Sequence, residues 1–532
     1  MQLSDVSQFV RHRSGAALIG PPERNIAGLV FMAARRKGRK LGSAWSGGGP
    51  LWPFLSRELD KYPDADFFEL CVTERVRHTT ASKWEKLVTN RASGRFGLHV
   101  TLPDRVYRFS PTEMIAQNRP PQRFFTWVLD QNDLTPERFF EIGGGIELLT
   151  MSQYFGFLAA GSAVEIYRGN QIVPADEQDV KRIEGVIDGM ATWYMANVGP
   201  DGEVPYKYWP SRGKYSEADN TIRRFMATIA FNRLGLDRND GAMRKAARRN
   251  LDFNLERFYR VDDGLGLIEW DGSVKLGAVA LAALAILESP QADKYAEQYQ
   301  ALRRTIDALW RNDGSFRTFY RPAERNDNQN FYPGEALLMI ASELEKTPND
   351  EVLEKALNCA AYYREWHFHD RNPAFVPWHV MACAKLFRIT GDRWLTDYIF
   401  EMSDWLLDHQ QWRGELDPDL WGRFYTPDKP YGPPHASSTG VFMEGMVDAM
   451  LLAREAGDTE RAEAYETSVW RGARSIAQLQ FKDDVDMFYV SRRERVRGGV
   501  RTEAYNNEIR VDNIQHALMA LLRFRHLVQP AG

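Results

Sequence analysis

The alternation of apolar and polar positions changes character near residue 175. Before that point, short apolar runs stand between charged and turn-forming segments. Gly28 to Ala33, Phe67 to Thr73 and Phe96 to Thr101 read as strands, while Ser46-Gly47-Gly48-Gly49-Pro50 and Gly143-Gly144-Gly145 read as turns. This texture predicts a smaller α+β domain over residues 1–170. Beyond it, apolar residues recur at helical spacing in about twelve successive segments.

These helical segments are of two kinds. The set near 176–198, 240–259, 292–311, 349–366, 393–411 and 459–480 is amphipathic, as in Tyr295 to Trp310. The set near 217–235, 273–289, 333–346, 375–391, 437–457 and 509–527 is apolar on most sides, as in Val274 to Leu287. A helix that is apolar all round must be covered all round. Alternating half-exposed and fully covered helices predict a mainly α fold: a double ring of six helical hairpins, an (α/α)6 toroid over residues 175–530. The joints agree. Gly391-Asp392 and Gly457-Asp458 pair a residue that tolerates the left-handed helix end with one that caps the next helix, and Pro348-Asn349-Asp350 is a variant. These links are short, whereas those leading into the apolar helices are long, so one face of the ring carries the large loops.

The length of 532 residues exceeds what one core supports and requires more than one domain. A net charge of −4 gives no global field for nucleic acid or membrane surfaces. The basic run Arg492 to Arg497 lacks interleaved aromatics and reads as a solvated loop or a lip over the cleft. The three cysteines, Cys71, Cys359 and Cys383, are odd in number and far apart, which argues against a disulfide framework or a cysteine metal site. There is no His-Glu-x-x-His, and His367 and His369 read as surface residues at a helix end. No metal and no cofactor are expected. Met1 to Ser14 is polar and no apolar run is long enough to span a membrane, so the expected location is the cytoplasm.

The toroid directs the first turns of its inner helices into one hollow, where free backbone N–H groups favour oxygens and anions. The sequences at those ends are polar and aromatic. Asp219, Glu269, Asp271, Glu335 and Asp512 are the candidate catalytic acids, with Glu444 a further acid of the same set. Arg223, Trp270, Tyr332, Trp378, His379, His435, Arg510, Gln515 and His516 are the candidate substrate-binding residues. Many of the polar ones have a plain alternative role as helix caps. Their recurrence at six equivalent ends, together with Trp and His that no cap requires, points to glycan chemistry. There, one carboxyl group protonates a leaving oxygen while a second group activates water or attacks carbon. Flat aromatics stack on sugar faces. Lys207, Arg212, Lys214, Lys275 and Arg501 add positive charge, suited to an acidic sugar such as a uronate or to neutralising the acids.

Glu269-Trp270-Asp271-Gly272, Tyr332-Pro333-Gly334-Glu335, Val376-Pro377-Trp378-His379 and Val511-Asp512-Asn513-Ile514-Gln515-His516, set in this helical pattern, resemble the (α/α)6 carbohydrate-active superfamily. It comprises glycoside hydrolases, unsaturated uronyl hydrolases, polysaccharide lyases and N-acylglucosamine 2-epimerase-like enzymes. The run from Gly28 to Gly42 resembles the opening of AMMECR1-like domains, although Leu41-Gly42-Ser43 stands where that family has Arg-Gly-Cys. The resemblance implies an enzyme that cleaves a glycosidic bond in an oligo- or polysaccharide, acidic ones included. Two alternatives stay open: epimerase or lyase chemistry through His or Tyr, and a non-catalytic glycan-binding scaffold.

Overall fold

The computed structural model describes residues 1–80, 83–175, 178–414, 416–425 and 436–528. The N-terminal part is built on one antiparallel seven-stranded sheet. Its strands are β2 (Val30–Arg36), β3 (Arg39–Ser46), β5 (Phe67–Thr79), β6 (Phe96–Thr101), β7 (Val106–Phe109), β8 (Gly145–Phe157) and β9 (Ser162–Ile166). Their order is β3-β2-β5-β8-β6-β7, and β9 pairs with the second half of β8. A two-stranded ribbon, β1 (Asn25–Ile26) with β4 (Gly49–Pro50), stands beside it. Helices α1 (Leu3–Arg13), α2 (Leu51–Leu59), α3 (Trp84–Leu87), α4 (Pro111–Gln117), α5 (Pro121–Gln131) and α6 (Pro136–Glu141) complete this part. Because successive strand residues point to opposite faces, the sheet feeds two cores. Met32, Leu70 and Tyr154 pack with Phe9 and Trp52 on one face, whereas Phe31, Cys71, Leu149 and Met151 cluster on the other.

The rest is an (α/α)6 toroid. Its outer helices are α7 (Val180–Asn197), α9 (Gly241–Phe258), α11 (Ala296–Leu309), α13 (Asp350–His369), α15 (Arg393–Leu407) and α17 (Thr459–Leu479). Its inner helices are α8 (Thr221–Asp237), α10 (Leu276–Leu287), α12 (Tyr332–Lys346), α14 (Val376–Thr390), α16 (Ala436–Glu455) and α18 (Val511–Val528). Each inner helix packs on the next, and α18 returns to α8, so the ring closes. Burial explains the division: Leu276 through Ile286 of α10 are all buried. Each fully covered Leu or Ile there contributes roughly 1.5–3 kcal/mol. The short joints form as their residues dictate. Gly391 and Gly457 adopt left-handed φ values of 74° and 73°, and Asn349 and Asp458 accept hydrogen bonds from the next helix.

Glycines set how closely the inner helices approach near their N-terminal ends. A Cβ at Gly334 would lie 2.6 Å from Trp378 Cβ, and one at Gly440 would lie 2.6 Å from the backbone nitrogen of Ala517. The long connections are not plain loops. They carry two four-stranded antiparallel sheets around the mouth. One joins β10 (Lys207–Trp209), β11 (Lys214–Tyr215), β16 (Arg501–Glu503) and β17 (Asn506–Arg510). The other joins β12 (Tyr259–Asp262), β13 (Leu265–Trp270), β14 (Ser273–Lys275) and β15 (Phe319–Arg321). Among the described residues no helix is long and apolar enough to cross a membrane.

The sheet part grips two of the connections that lead to the mouth. Arg168, fully buried, forms ion pairs with Asp417 and Asp419, the latter at 2.7 Å, and Tyr167 donates to Asp417 at 2.7 Å. Asn118 donates to Asn506 at 2.9 Å, and Asn507 donates to the carbonyl of Ile115 at 2.7 Å. Arg501 belongs to this junction, bonded to Asn170 and lying over Phe481, rather than to the cleft. The basic run Arg492 to Arg497 straps onto α7 and the β10–β11 hairpin: Arg495 bonds the carbonyl of Ala196 and Arg492 that of Gly213.

Candidate functional site

The mouth of the ring is organised around Asp512, in the first turn of α18. Arg510 at the end of β17 donates from Nε to its Oδ1 at 2.9 Å and also bonds Oδ2. Arg223, in the first turn of α8, donates from Nε to Oδ2 at 2.5 Å and lies over the ring of Tyr206 at 5.7 Å. Both oxygens of Asp512 are thus engaged by guanidinium groups in a buried setting. Guanidinium groups hold a carboxylate through charge-assisted hydrogen bonds.

Glu335, on the first turn of α12, has the opposite environment. It is buried, and its Oε2 has no hydrogen-bond partner among the described residues. It rests against Gly277 of α10, where any side chain would collide with Oε2. Burial pushes its carboxyl up to about 8 against the opposing fields of Arg223 and Lys275. At neutral pH it therefore holds a proton. Lys275, at the end of β14, makes no ion pair among the described residues, and its ammonium is pushed below its ordinary value by burial and by Arg223 and Arg325. Tyr332 packs edge-on against Phe319 at 5.7 Å, and burial beside Glu335 raises its phenol.

The third group lies across α14, α16 and α18. His516 Nδ1 donates to Glu444 Oε1 at 2.7 Å, which fixes the tautomer and leaves Nε2 as the acceptor. Gln515 Nε2 stands 3.5 Å from that Nε2. Trp378 meets the His516 ring edge-on at 5.8 Å.

The remaining sequence-derived candidates lie elsewhere. His379 is fully buried on the outward side of α14, stacked on Phe375 at 3.7 Å and 5.4 Å from Tyr363. Adjacent helical residues diverge by about 100°, so Trp378 can face the hollow only if His379 turns away. Burial and the neighbouring His367 hold His379 well below the ordinary histidine value. His367 is itself buried and stacked on Phe375 at 4.6 Å, which corrects its reading as a surface residue. Asp219 forms a bidentate pair with Arg224 at 2.7 and 2.8 Å, tying the β11–α8 connection to its helix. Glu269 pairs with Arg321 at 3.4 Å. Asp271 and Gly272, at φ 50° and 68°, form the two-residue turn between β13 and β14. Trp270 is exposed on that hairpin, with Arg257 over its ring at 5.5 Å. His435 lies outside the described residues. Tyr206 escaped the sequence reading, because one tyrosine in the run Tyr206-Lys207-Tyr208-Trp209 carries no positional signal. Among the described residues no cluster of three or more metal-ligating side chains forms.

No known protein-family model and no curated protein matches this chain. Solved structures do. D-mannose isomerase matches at 13% identity and TM-score 0.50, over 67% of this chain and 100% of its own. Cellobiose 2-epimerase from Bacillus thermoamylovorans B4167 matches at 12% identity and TM-score 0.49, over 66% and 99%. The GH76A α-1,6-mannanase of Salegentibacter sp. HEL1_6 matches at 10% identity and TM-score 0.47, over 66% and 99%. At such low identity the likeness to the isomerase establishes a shared fold.

Proposed function

We propose that the chain is a carbohydrate-active enzyme that moves a proton on a sugar, with His516 as the base and Glu335 as the acid. The observation that carries this reading is the contrast between the two carboxyl groups of the mouth. Asp512 has both oxygens committed to Arg223 and Arg510, which leaves it poorly suited to activate water. Glu335 keeps its proton at neutral pH, and His516 presents Nε2 while Glu444 supports the imidazolium that forms. A base that takes a carbon-bound proton and an acid that protonates the neighbouring oxygen are the parts of an aldose–ketose isomerisation or a C2 epimerisation. Arg223, Arg510 and Lys275 hold the hydroxyls or the carboxylate of the sugar, and Trp378 and Tyr332 line its apolar face. A uronate fits this cationic side better than a neutral sugar.

Glycosidic-bond hydrolysis is the second reading. The raised carboxyl of Glu335 favours it, since a protonated acid is what a leaving oxygen needs.

The two readings separate in heavy water. Mannose, fructose, glucuronate and short mannans are incubated with the protein, and the recovered sugars are examined by NMR. Deuterium at C2, abolished in His516→Asn, supports proton transfer on carbon. New reducing ends without deuterium would replace it with hydrolysis, and no change in any sugar would remove the catalytic reading.

A further inference from the structure

The ring holds a second cavity away from the mouth. It has a volume of about 470 Å³ and lies between α8, α9 and α10, near the short links. Packed helices normally close such a space with apolar side chains, at the density of a molecular crystal. Here Ala247 and Ala285 leave it open, and Thr228 and Asn232 bring polar groups into a mainly apolar lining. Asn232, buried on α8, donates Nδ2 to the carbonyl of Glu288 at 2.9 Å, while no described residue donates to its Oδ1. At the rim stand Arg244, Lys245 and Arg248, on the first two turns of α9. None of the three has an ion-pair partner among the described residues, whereas Arg233, Lys294 and Arg303 do. The three cations are exposed on α9, beside the buried side chain of Asn232. They raise the local positive potential over a half-open volume of ligand size.

We propose that this cavity binds a small polyol carrying an anionic group, such as a sugar phosphate or a uronate. The guanidinium groups of Arg244 and Arg248 and the ammonium of Lys245 take the anion, and Asn232 Oδ1 accepts from a hydroxyl group. The site is separate from the mouth and does not depend on the reaction assigned there.

Calorimetric titration of the intact protein with glucose 1-phosphate, glucuronate, inorganic phosphate and glucose tests the assignment. Glucose 1-phosphate or glucuronate should bind with a Kd below about 1 mM, and glucose should not bind measurably. Which of the two binds more tightly identifies the anion. The double substitution Arg244→Ala with Arg248→Ala, on the exposed side of α9, should weaken binding by roughly tenfold or more. Ala247→Phe should block it by filling the floor. Asp512→Asn should leave it unchanged, which separates this site from the mouth. Glucose 1-phosphate binding that survives both cavity variants, or that is lost in Asp512→Asn, would overturn the proposal. Glucuronate is scored only by the component lost in the cavity variants, because the mouth is also proposed to take a uronate. Equal affinity for inorganic phosphate and glucose 1-phosphate would overturn the polyol assignment.

Discussion

The two ends of the central hollow use the same residue types in opposite ways. At the far end, where the inner helices finish, a cavity of about 400 Å³ is bounded by matched charges. Arg523 forms a bidentate pair with Asp448 at 2.6 and 2.8 Å, and Arg233 does the same with Glu288 at 2.6 and 2.8 Å. Arg525 reaches Asp237 at 2.6 Å. At the mouth the pairing is uneven among the described residues: Asp512 has two arginines, Glu335 has no hydrogen-bond partner at Oε2, and Lys275 has no ion pair. Matched pairs at helix C-termini hold a ring together and satisfy its carbonyl ends. Unmatched groups cost stability and persist where a ligand completes them. The contrast fits the proposed reading, in which the far end holds the ring and the mouth carries the chemistry.

Substitutions can break this contrast. The largest effect is expected at the mouth: His516→Asn or Glu335→Gln should lower turnover by about 10²–10⁴-fold while the fold is retained. Circular dichroism and steady-state rates on the substrate found in heavy water check this. Lys275→Met should mainly raise KM for an acidic sugar, by roughly tenfold, with a smaller change in kcat. A matching loss on a neutral sugar would deny Lys275 a role in selecting charge. At the far end the order reverses. Arg523→Met should leave turnover unchanged yet lower stability by about 1–3 kcal/mol, because buried Asp448 loses its bidentate partner, as read from a urea midpoint.

A further effect is one of pH. Glu335 is raised from 4.5 to about 8 in the folded chain, so the folded state binds more protons than the unfolded one between those values. The associated stability is complete below about pH 4.5 and is lost as pH rises through about 8. Glu503, buried at the junction with the sheet part and likewise raised to about 8, acts in the same direction. Glu335→Gln should therefore be relatively more stable than the parent above about pH 8, with a flatter thermal stability profile.

The ring was legible in the chain because each helix answers to a local rule. An all-round apolar segment such as Leu276–Leu287 has to be an inner helix, and Gly391 followed by Asp392 has to be a joint. The central strand β8 was not legible. It is buried in places on both faces, so the run from Gly145 to Phe157 lacks a clean alternation, and its Gly-rich start reads as a turn. At the mouth, the composition of the six helix starts marked the neighbourhood, but single-residue orientation lay beyond it. Nothing in Trp378-His379 says which of the pair turns inward. The clamp of Arg168 on Asp417 and Asp419 joins groups about 250 residues apart, and no spacing rule reaches that far.

The proposed chemistry requires Glu335, in the first turn of α12, to hold a proton at neutral pH. Infrared difference spectroscopy of the parent against Glu335→Gln, across about pH 5 to 10, reads that carboxyl directly. A protonated carboxyl band that persists at about pH 7 and disappears with a midpoint near 8 is the expected result. A group already ionised at about pH 6 would contradict the assignment of Glu335 as the acid.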